Sequence, residues 1–192
     1  MTLALVLLGY LAGSIPFGVL LTRWLRGVDV RQGGSGNIGA TNVTRVAGKK
    51  LGALVLVLDA LKGALPVALA VRLVPGQPLV HVMVGLAAVL GHVYPVWLKL
   101  HGGKGVATAL GVLLVLAPWA ALAAGTAFIA IFLLSRVSSL GSLFAGATAV
   151  GTTACTAPAT EYTGLSAFLF VVMLWTHRSN IGRLLRRTER RF

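Results

Sequence analysis

Apolar residues recur in seven stretches, Leu3 to Leu25, Leu51 to Val74, Leu79 to Leu98, Gly105 to Ala117, Pro118 to Leu134, Leu140 to Thr156 and Thr163 to Trp175, separated by glycine-rich, proline-containing or basic segments. A helix of about 20 apolar residues crosses the hydrocarbon core of a bilayer, and no stretch alternates as a strand would. The pattern predicts an all-α integral membrane protein, a bundle of seven transmembrane helices forming a single domain over residues 1–192. Gly105 to Leu134 is long enough for one helix. Pro118 inside it would remove a backbone donor and clash with the preceding turn, so two short helices turning at Pro118 are expected. The sixth stretch is mostly Gly, Ala, Ser and Thr, the composition of a core helix that packs on neighbours rather than on lipid. The first has no Lys or Arg before Arg23, unlike a cleavable signal peptide, and is read as a span that stays.

Charge gives the bundle a direction. Of 192 residues only 11% are charged and 57% are hydrophobic, against ~25% charged in an ordinary soluble domain. The net charge of +13 comes from 17 basic and 4 acidic residues. In a soluble protein this balance would point to nucleic acid. Here the basic residues lie between apolar runs, and seven spans put 15 of the 17 on one side, leaving out only Lys62 and Arg72. The positive-inside rule then sets the N-terminus outside and the C-terminus in the cytoplasm, with no nucleic-acid partner implied. The outer loops, Pro75 to Pro78, the Pro118 turn and Pro158 to Tyr162, are terse, so the working face is expected on the cytoplasmic side.

The inner loops carry the candidate chemistry. In Gly33 to Lys50 (GGSGNIGATNVTRVAGKK), Gly34, Gly36 and Gly39 formally spell a dinucleotide fingerprint, with Asp59 at the right distance. That fingerprint needs a strand before it, and a transmembrane helix precedes this loop. What remains is a glycine-rich loop whose N–H groups can converge on an anion, with Ser35, Asn37, Thr41 and Asn42 as neutral donors and Arg45 as a guanidinium suited to phosphate. A second loop, His101 to Thr108 (HGGKGVAT), sets Lys104 beside Gly102 and Gly103 at a helix start, where free N–H groups and the helix dipole favour a phosphate. In the third, Ser138, Ser139 and Ser142 are read first as helix caps and second as ligand groups. His177 and Asn180, three residues apart, share a face if their helix continues.

Within the second stretch Asp59 and Lys62 can pair at i, i+3. Lys62 lies about 16 Å along the helix, near mid-membrane, where an ionisable group is a functional suspect and a structural pair is the competing reading. His92 is ambiguous in the same way, and His81 is expected at the outer interface. Cys155, the single cysteine, excludes an intrachain disulfide and is expected to pack within a helix. No HExxH, nucleophile elbow, H-x-x-x-x-D or clustered carboxylates occur, so no metal, cofactor or hydrolase chemistry is expected.

Two phosphate cradles on one face suit a transfer between two phosphorylated molecules, one with its acyl tail in lipid. The blocks Ser35-Gly36-Asn37-Ile38-Gly39-Ala40-Thr41-Asn42 with Arg45, Asp59 with Lys62-Gly63, His92 with Tyr94-Pro95, Gly102-Gly103-Lys104-Gly105-Val106-Ala107-Thr108, Ser139-Leu140, and His177-Arg178-Ser179-Asn180-Ile181 with Arg183-Leu184 resemble the bacterial acyl-phosphate-dependent glycerol-3-phosphate acyltransferase family, PlsY. The resemblance runs in order over essentially the whole chain. It implies a multi-pass enzyme of the bacterial inner membrane. Such an enzyme moves a fatty acyl group from acyl phosphate to the 1-hydroxyl of glycerol 3-phosphate, giving lysophosphatidic acid and phosphate in the first acylation of phospholipid biosynthesis. It further implies that Arg45, Lys104, His177 and Asn180 hold glycerol 3-phosphate, that Ser35 lies near the reacting hydroxyl, and that Asn37, Thr41 and Ser142 grip the acyl phosphate. Transfer is direct, without a covalent acyl-enzyme, and His177 positions rather than acts as base. A monomer is expected, and the tail after Arg186 is expected to have no bearing on the chemistry. The competing class is a transporter or flippase of a phosphorylated lipid, which would place its binding groups near the midplane between internal repeats.

Overall fold

Proline decides the first element. Pro16 cannot donate to the helical ladder, and the stretch expected as one continuous span is two helices in the computed structural model, which describes residues 1–192: α1 (Thr2–Ser14) and α2 (Phe17–Arg26). A short 3-10 turn at Val30–Gln32 precedes α3 (Ala40–Ala47) and the long α4 (Lys49–Leu73). Then come α5 (Pro78–Val93), a second 3-10 turn at Val96–Leu98, α6 (Val106–Leu116), α7 (Pro118–Ser135), α8 (Ser138–Thr156), α9 (Thr160–Thr176) and α10 (Arg178–Leu185), with no strand. Pro118 opens α7 with only Ala117 between it and the end of α6, so the hairpin expected there is present, with the proline where its missing N–H costs least. Pro95 shortens the third stretch, since the residue before a proline avoids helical geometry.

Four segments are long and apolar enough to cross a membrane, Thr2–Arg26, Lys49–Leu73, Pro78–Leu98 and Pro118–Ser135, while Val106–Leu116 is apolar but short. All four tryptophans are exposed near helix ends: Trp24 in the last turn of α2, Trp97 beyond α5, Trp175 at the end of α9 and Trp119 at the start of α7. Indole rings favour the membrane–water boundary, where one edge is apolar and the other wet.

The most enclosed long segment is that of α5, flanked by α1, α4, α6 and α9. Small residues bring backbones together: a Cβ at Gly13 of α1 would collide with the Ala88 carbonyl of α5, and one at Gly111 of α6 with the Ala60 carbonyl of α4. One apolar cluster, including Leu5, Val67, Val84, Val112 and Leu165, joins α1, α4, α5, α6 and α9. A second, with Leu113, Ala120, Ala124, Ala145 and Ala149, joins α6, α7 and α8. The functional cavity opens between them. The helix expected in the core, α8, buries one face, Ser139, Gly141, Ser142, Ala145, Gly146, Ala149 and Thr153, and leaves Phe144, Gly151 and Cys155 exposed. α7 and α9 cover α8 on one face only, so the enclosed position falls to α5, and Cys155 is an exposed thiol rather than a packed one. His81 is likewise buried rather than interfacial, its ring bonded to the Tyr162 hydroxyl at 2.8 Å and the Val74 carbonyl at 3.0 Å.

At the break the Ile15 carbonyl accepts from the Phe17 N–H at 3.1 Å and from the Lys62 ammonium of α4 at 2.7 Å. The same ammonium pairs with Asp59 at 2.8 Å, both side chains being 3% exposed, and lies over the Phe17 ring. A charge left alone here has no water to return to, and breaking a buried pair by removing one partner costs about 3–5 kcal/mol. Lys62→Met is therefore expected to lower the midpoint of thermal unfolding in detergent sharply. Lys62→Met with Asp59→Leu, which removes both charges, is expected to recover most of that loss in the same melt.

Candidate active site

The loop between α2 and α3 is shaped by one amide. Asn42 is 2% exposed, and its Oδ1 accepts from the Ser35 N–H at 2.7 Å. Its Nδ2 donates to the carbonyls of Asn37, Val30 and Gly33 at 2.9, 3.0 and 3.1 Å. The sequence reading counts Asn42 among the substrate-binding groups; the structure spends both ends of its amide on the loop, so its part is to set the path of Ser35, Gly36 and Asn37. Gly34 and Gly36 sit at φ +59° and +73°, a region closed to most side chains. Asn37 turns on itself, accepting from the Gly39 N–H at 2.9 Å just before α3. Thr41 and Arg45 follow one turn apart on α3.

The second loop is clamped to the end of α5. The N–H groups of Gly102 and Gly103 donate to the carbonyls of Val93 and His92 at 3.1 and 3.0 Å, and a Cβ at Gly103 would run into the His92 ring. His92 Nδ1 in turn stands 3.8 Å from Asp59 Oδ1. Lys104, released at the end of this clamp, donates from Nζ to Asn180 Oδ1 at 2.6 Å, and Thr176 donates to the Lys104 carbonyl at 3.3 Å. Burial pulls the Lys104 pKa down to about 8, with Arg183 and Arg45 adding to the fall and Glu189 opposing it.

His177 sits at the joint between α9 and α10, and Asn180 lies one turn on. His177 is 1% exposed, and its Nδ1 stands 2.9 Å from the Met173 carbonyl. That carbonyl can only accept, so Nδ1 carries the proton and Nε2 keeps a free lone pair. Burial, then the neighbouring Lys104 charge, lowers the His177 pKa to about 4. At neutral pH it is an uncharged hydrogen-bond acceptor.

The segment expected to stand apart from the chemistry does not. After α10 the chain turns back, and Glu189 lies in the cavity wall with Arg183 and Arg190. Its carboxylate accepts from Ser139 Oγ at 3.0 Å, Asn180 Nδ2 at 2.5 Å and Arg183 Nε at 2.6 Å. Burial raises the Glu189 pKa, but these three bonds outweigh it and leave the carboxyl below its ordinary range. The serines are not caps: no side chain caps α8, Ser139 binds Glu189, and Ser142 donates to the Ser138 carbonyl at 2.9 Å. A lone acid among C-terminal arginines resembles a solvated tail in sequence, and no local spacing signals its contact with Ser139.

One cavity of about 720 Å³ unites these parts. Its polar end is lined by Ser35, Gly36, Asn37, Thr41, Arg45, Gly102, Lys104, Ser142, His177 and Asn180, with Asp59 and His92 at its floor. Its apolar extension runs between α6, α7, α8 and α9 past Leu110, Leu113, Phe128, Ile129 and Phe170. Two candidates stand off the wall: Lys62, turned to Ile15, and Gly103, pressed on His92. Such a cavity can hold phosphates at one end and a hydrocarbon chain at the other.

The family model described as glycerol-3-phosphate acyltransferase matches residues 3–187. A glycerol-3-phosphate acyltransferase of Myxococcus xanthus (strain DK1622) is 82% identical over 192 residues, covering all of both chains. One from Anaeromyxobacter sp. (strain Fw109-5) is 53% identical over 98% of this chain and 95% of its own. Among solved structures, the glycerol 3-phosphate form of PlsY (YgiH), an integral membrane glycerol 3-phosphate acyltransferase, superposes with a TM-score of 0.93 at 44% identity, covering 100% of this chain and 95% of that one. The lysophosphatidic acid form of the same protein gives 0.92 with the same identity and coverage.

The two shifted groups set different pH limits. Lys104 is charged below about pH 8 and loses its proton as pH rises through that value, while His177 stays neutral down to about pH 4. NMR titration of the labelled side chains is expected to show these two midpoints. A His177 midpoint near the free-histidine value of ~6.5 would contradict the burial described.

Proposed function

Because the chain belongs to the glycerol-3-phosphate acyltransferase family, we propose that its cavity transfers a fatty acyl group from acyl phosphate to the 1-hydroxyl of glycerol 3-phosphate. The products are lysophosphatidic acid and inorganic phosphate. The observation that carries this reading is the continuity of a cationic end, with Arg45 and Lys104, and an apolar groove within one cavity. In the reading, Arg45, Lys104 and Asn180 take the phosphate of glycerol 3-phosphate. Ser35 and His177 bracket the reacting hydroxyl. Asn37, Thr41 and Ser142 take the acyl phosphate while its tail runs past Phe128 and Phe170.

No side chain need become acylated. The hydroxyl oxygen attacks the carbonyl carbon of the mixed anhydride, a C–O ester bond forms, and the bond from that carbon to the phosphate oxygen breaks. Phosphate leaves with the bonding electrons and takes up the hydroxyl proton. His177 suits a positioning role: with a pKa of about 4 it is a weak base at neutral pH, while its free Nε2 can hold the hydroxyl in line. The rate then comes from alignment and from fixed charge at the developing oxyanion and the departing phosphate. No metal or cofactor is called for.

The rest of the reading concerns setting. The chain acts as one domain over residues 1–192, a monomer with seven spans in the bacterial inner membrane, N-terminus outside and C-terminus cytoplasmic. The active site faces the cytoplasm, because Arg45, Lys104 and the C-terminal arginines share one end. The exposed Cys155 in the last turn of α8 lies at the opposite end, so an impermeant maleimide added outside spheroplasts is expected to label it, and labelling only after lysis would reverse the topology. For the reaction, detergent-purified protein is given glycerol 3-phosphate with acyl phosphate, acyl-CoA or an acyl carrier protein thioester. Lysophosphatidic acid and phosphate are expected from acyl phosphate alone, and Lys104→Ala is expected to lower kcat/KM about 10²–10³-fold, the usual loss when a preorganised charge donor is removed. Folded protein inactive with every donor would instead favour transport of a phosphorylated lipid.

A further inference from the structure

The C-terminal segment Thr188–Phe192 threads through the mouth of the cavity. Arg190 donates to the Gly34 carbonyl of the first loop. The Phe192 N–H bonds the Arg136 carbonyl at 2.9 Å, and its ring lies 4.4 Å from the Arg45 guanidinium, edge-on to Phe132. Between these anchors Glu189, its side chain 8% exposed, occupies the donors of Ser139, Asn180 and Arg183. The donor set is a hydroxyl, an amide and a guanidinium beside the Lys104 ammonium, which is the set a phosphate would take. Of the chain's four acidic residues only Asp59 and Glu189 line the cavity, and Asp59 already has Lys62. Glu189 alone is an anion held outside any helix: α10 ends at Leu185, and Arg187 turns the chain through φ +57° into non-helical backbone.

We propose that Glu189 is an affinity-setting residue of the reaction, an anion built into the chain that fills part of the glycerol 3-phosphate site and leaves, with Thr188–Phe192, when the substrate phosphate enters. The inference rests on the assignment of Arg45, Lys104 and Asn180 to glycerol 3-phosphate. A carboxylate and a phosphate cannot share these donors, because like charges at contact in a poorly screened site repel strongly. The seated segment also covers Arg45 with Phe192, so lifting it uncovers two of the phosphate-binding groups together. Apparent affinity then scales with the fraction of molecules whose segment is already lifted.

The test uses the full detergent-purified chain, Glu189→Gln, and a variant ending at Arg187. Glycerol 3-phosphate binding is measured by calorimetry without donor, and KM and kcat are measured with acyl phosphate. If the segment is seated for 70–97% of the time, the competent-fraction relation predicts that removing it lowers Kd and KM roughly 3–30-fold, with kcat within about twofold of the parent. Glu189→Gln is expected to move the same way by a smaller factor, since it removes the charge and keeps the shape. Unchanged or weaker binding in both variants overturns the proposal. A fall in kcat at unchanged Kd also overturns it, by making Glu189 a holder of Asn180. If truncation yields aggregated protein, Glu189→Gln decides alone. If no donor supports acylation, the reaction reading fails while the Kd comparison still decides the role of Glu189.

Discussion

The Lys62 ammonium ties the break between α1 and α2 to α4: it donates to the Ile15 carbonyl, which also accepts from the Phe17 N–H, and it pairs with the Asp59 carboxylate. In a bilayer every backbone group must find its partner inside the protein, and at the break in the first span α4 adds a cation to the backbone bonds already made there. From Asp59 the order passes outward. His92 Nδ1 stands 3.8 Å from that carboxylate, its ring bears on Gly103, and the loop clamped there delivers Lys104 to Asn180. The pair that sequence alone leaves between catalysis and bundle integrity thus divides: Lys62 belongs to the frame, and Asp59 belongs to both the frame and the floor of the cavity.

Helix length sets how deep the site lies. At 1.5 Å per residue the eleven residues of α6 span only about 16 Å, half of a hydrocarbon core. The Pro118 hairpin fixes one end of α6, so its N-terminus, with Lys104 just before it, stops well short of the far side of the bundle. The glycine loops fill the missing half turn by turn, as irregular backbone that can exist at that depth because it lines a cavity. A site recessed in this way sets its charged groups beside the apolar groove past Leu113 and Phe128.

Much of this was legible in the chain because its signals are local. Pro118 at a hairpin follows from the chemistry of one residue, and the two glycine loops identify themselves by composition. The same proline rule applies at Pro16, where the structure splits the first stretch into α1 and α2. Asn42 stands in a loop of neutral donors and looks like one more ligand; only three-dimensional closure shows its amide consumed by backbone carbonyls and the Ser35 N–H. Ser139 and Glu189 meet across 50 residues, a pairing with no periodicity to betray it. The exposed side of α8 depends on how far α7 wraps, which composition does not encode.

A cavity lined by several cations has a difficulty of its own. Arg45, Lys104, Arg183 and Arg190 all line one cavity, and charges brought together out of water lose hydration and repel one another. The protein relieves this in two ways. Burial brings the Lys104 pKa down to about 8, close enough to neutrality that one proton is loosely held. The Glu189 carboxylate supplies the counter-charge that a substrate would bring, held by Ser139, Asn180 and Arg183. A chain with so few acids thus places one of them among the cavity's cations, where buried positive charges need a counter-charge.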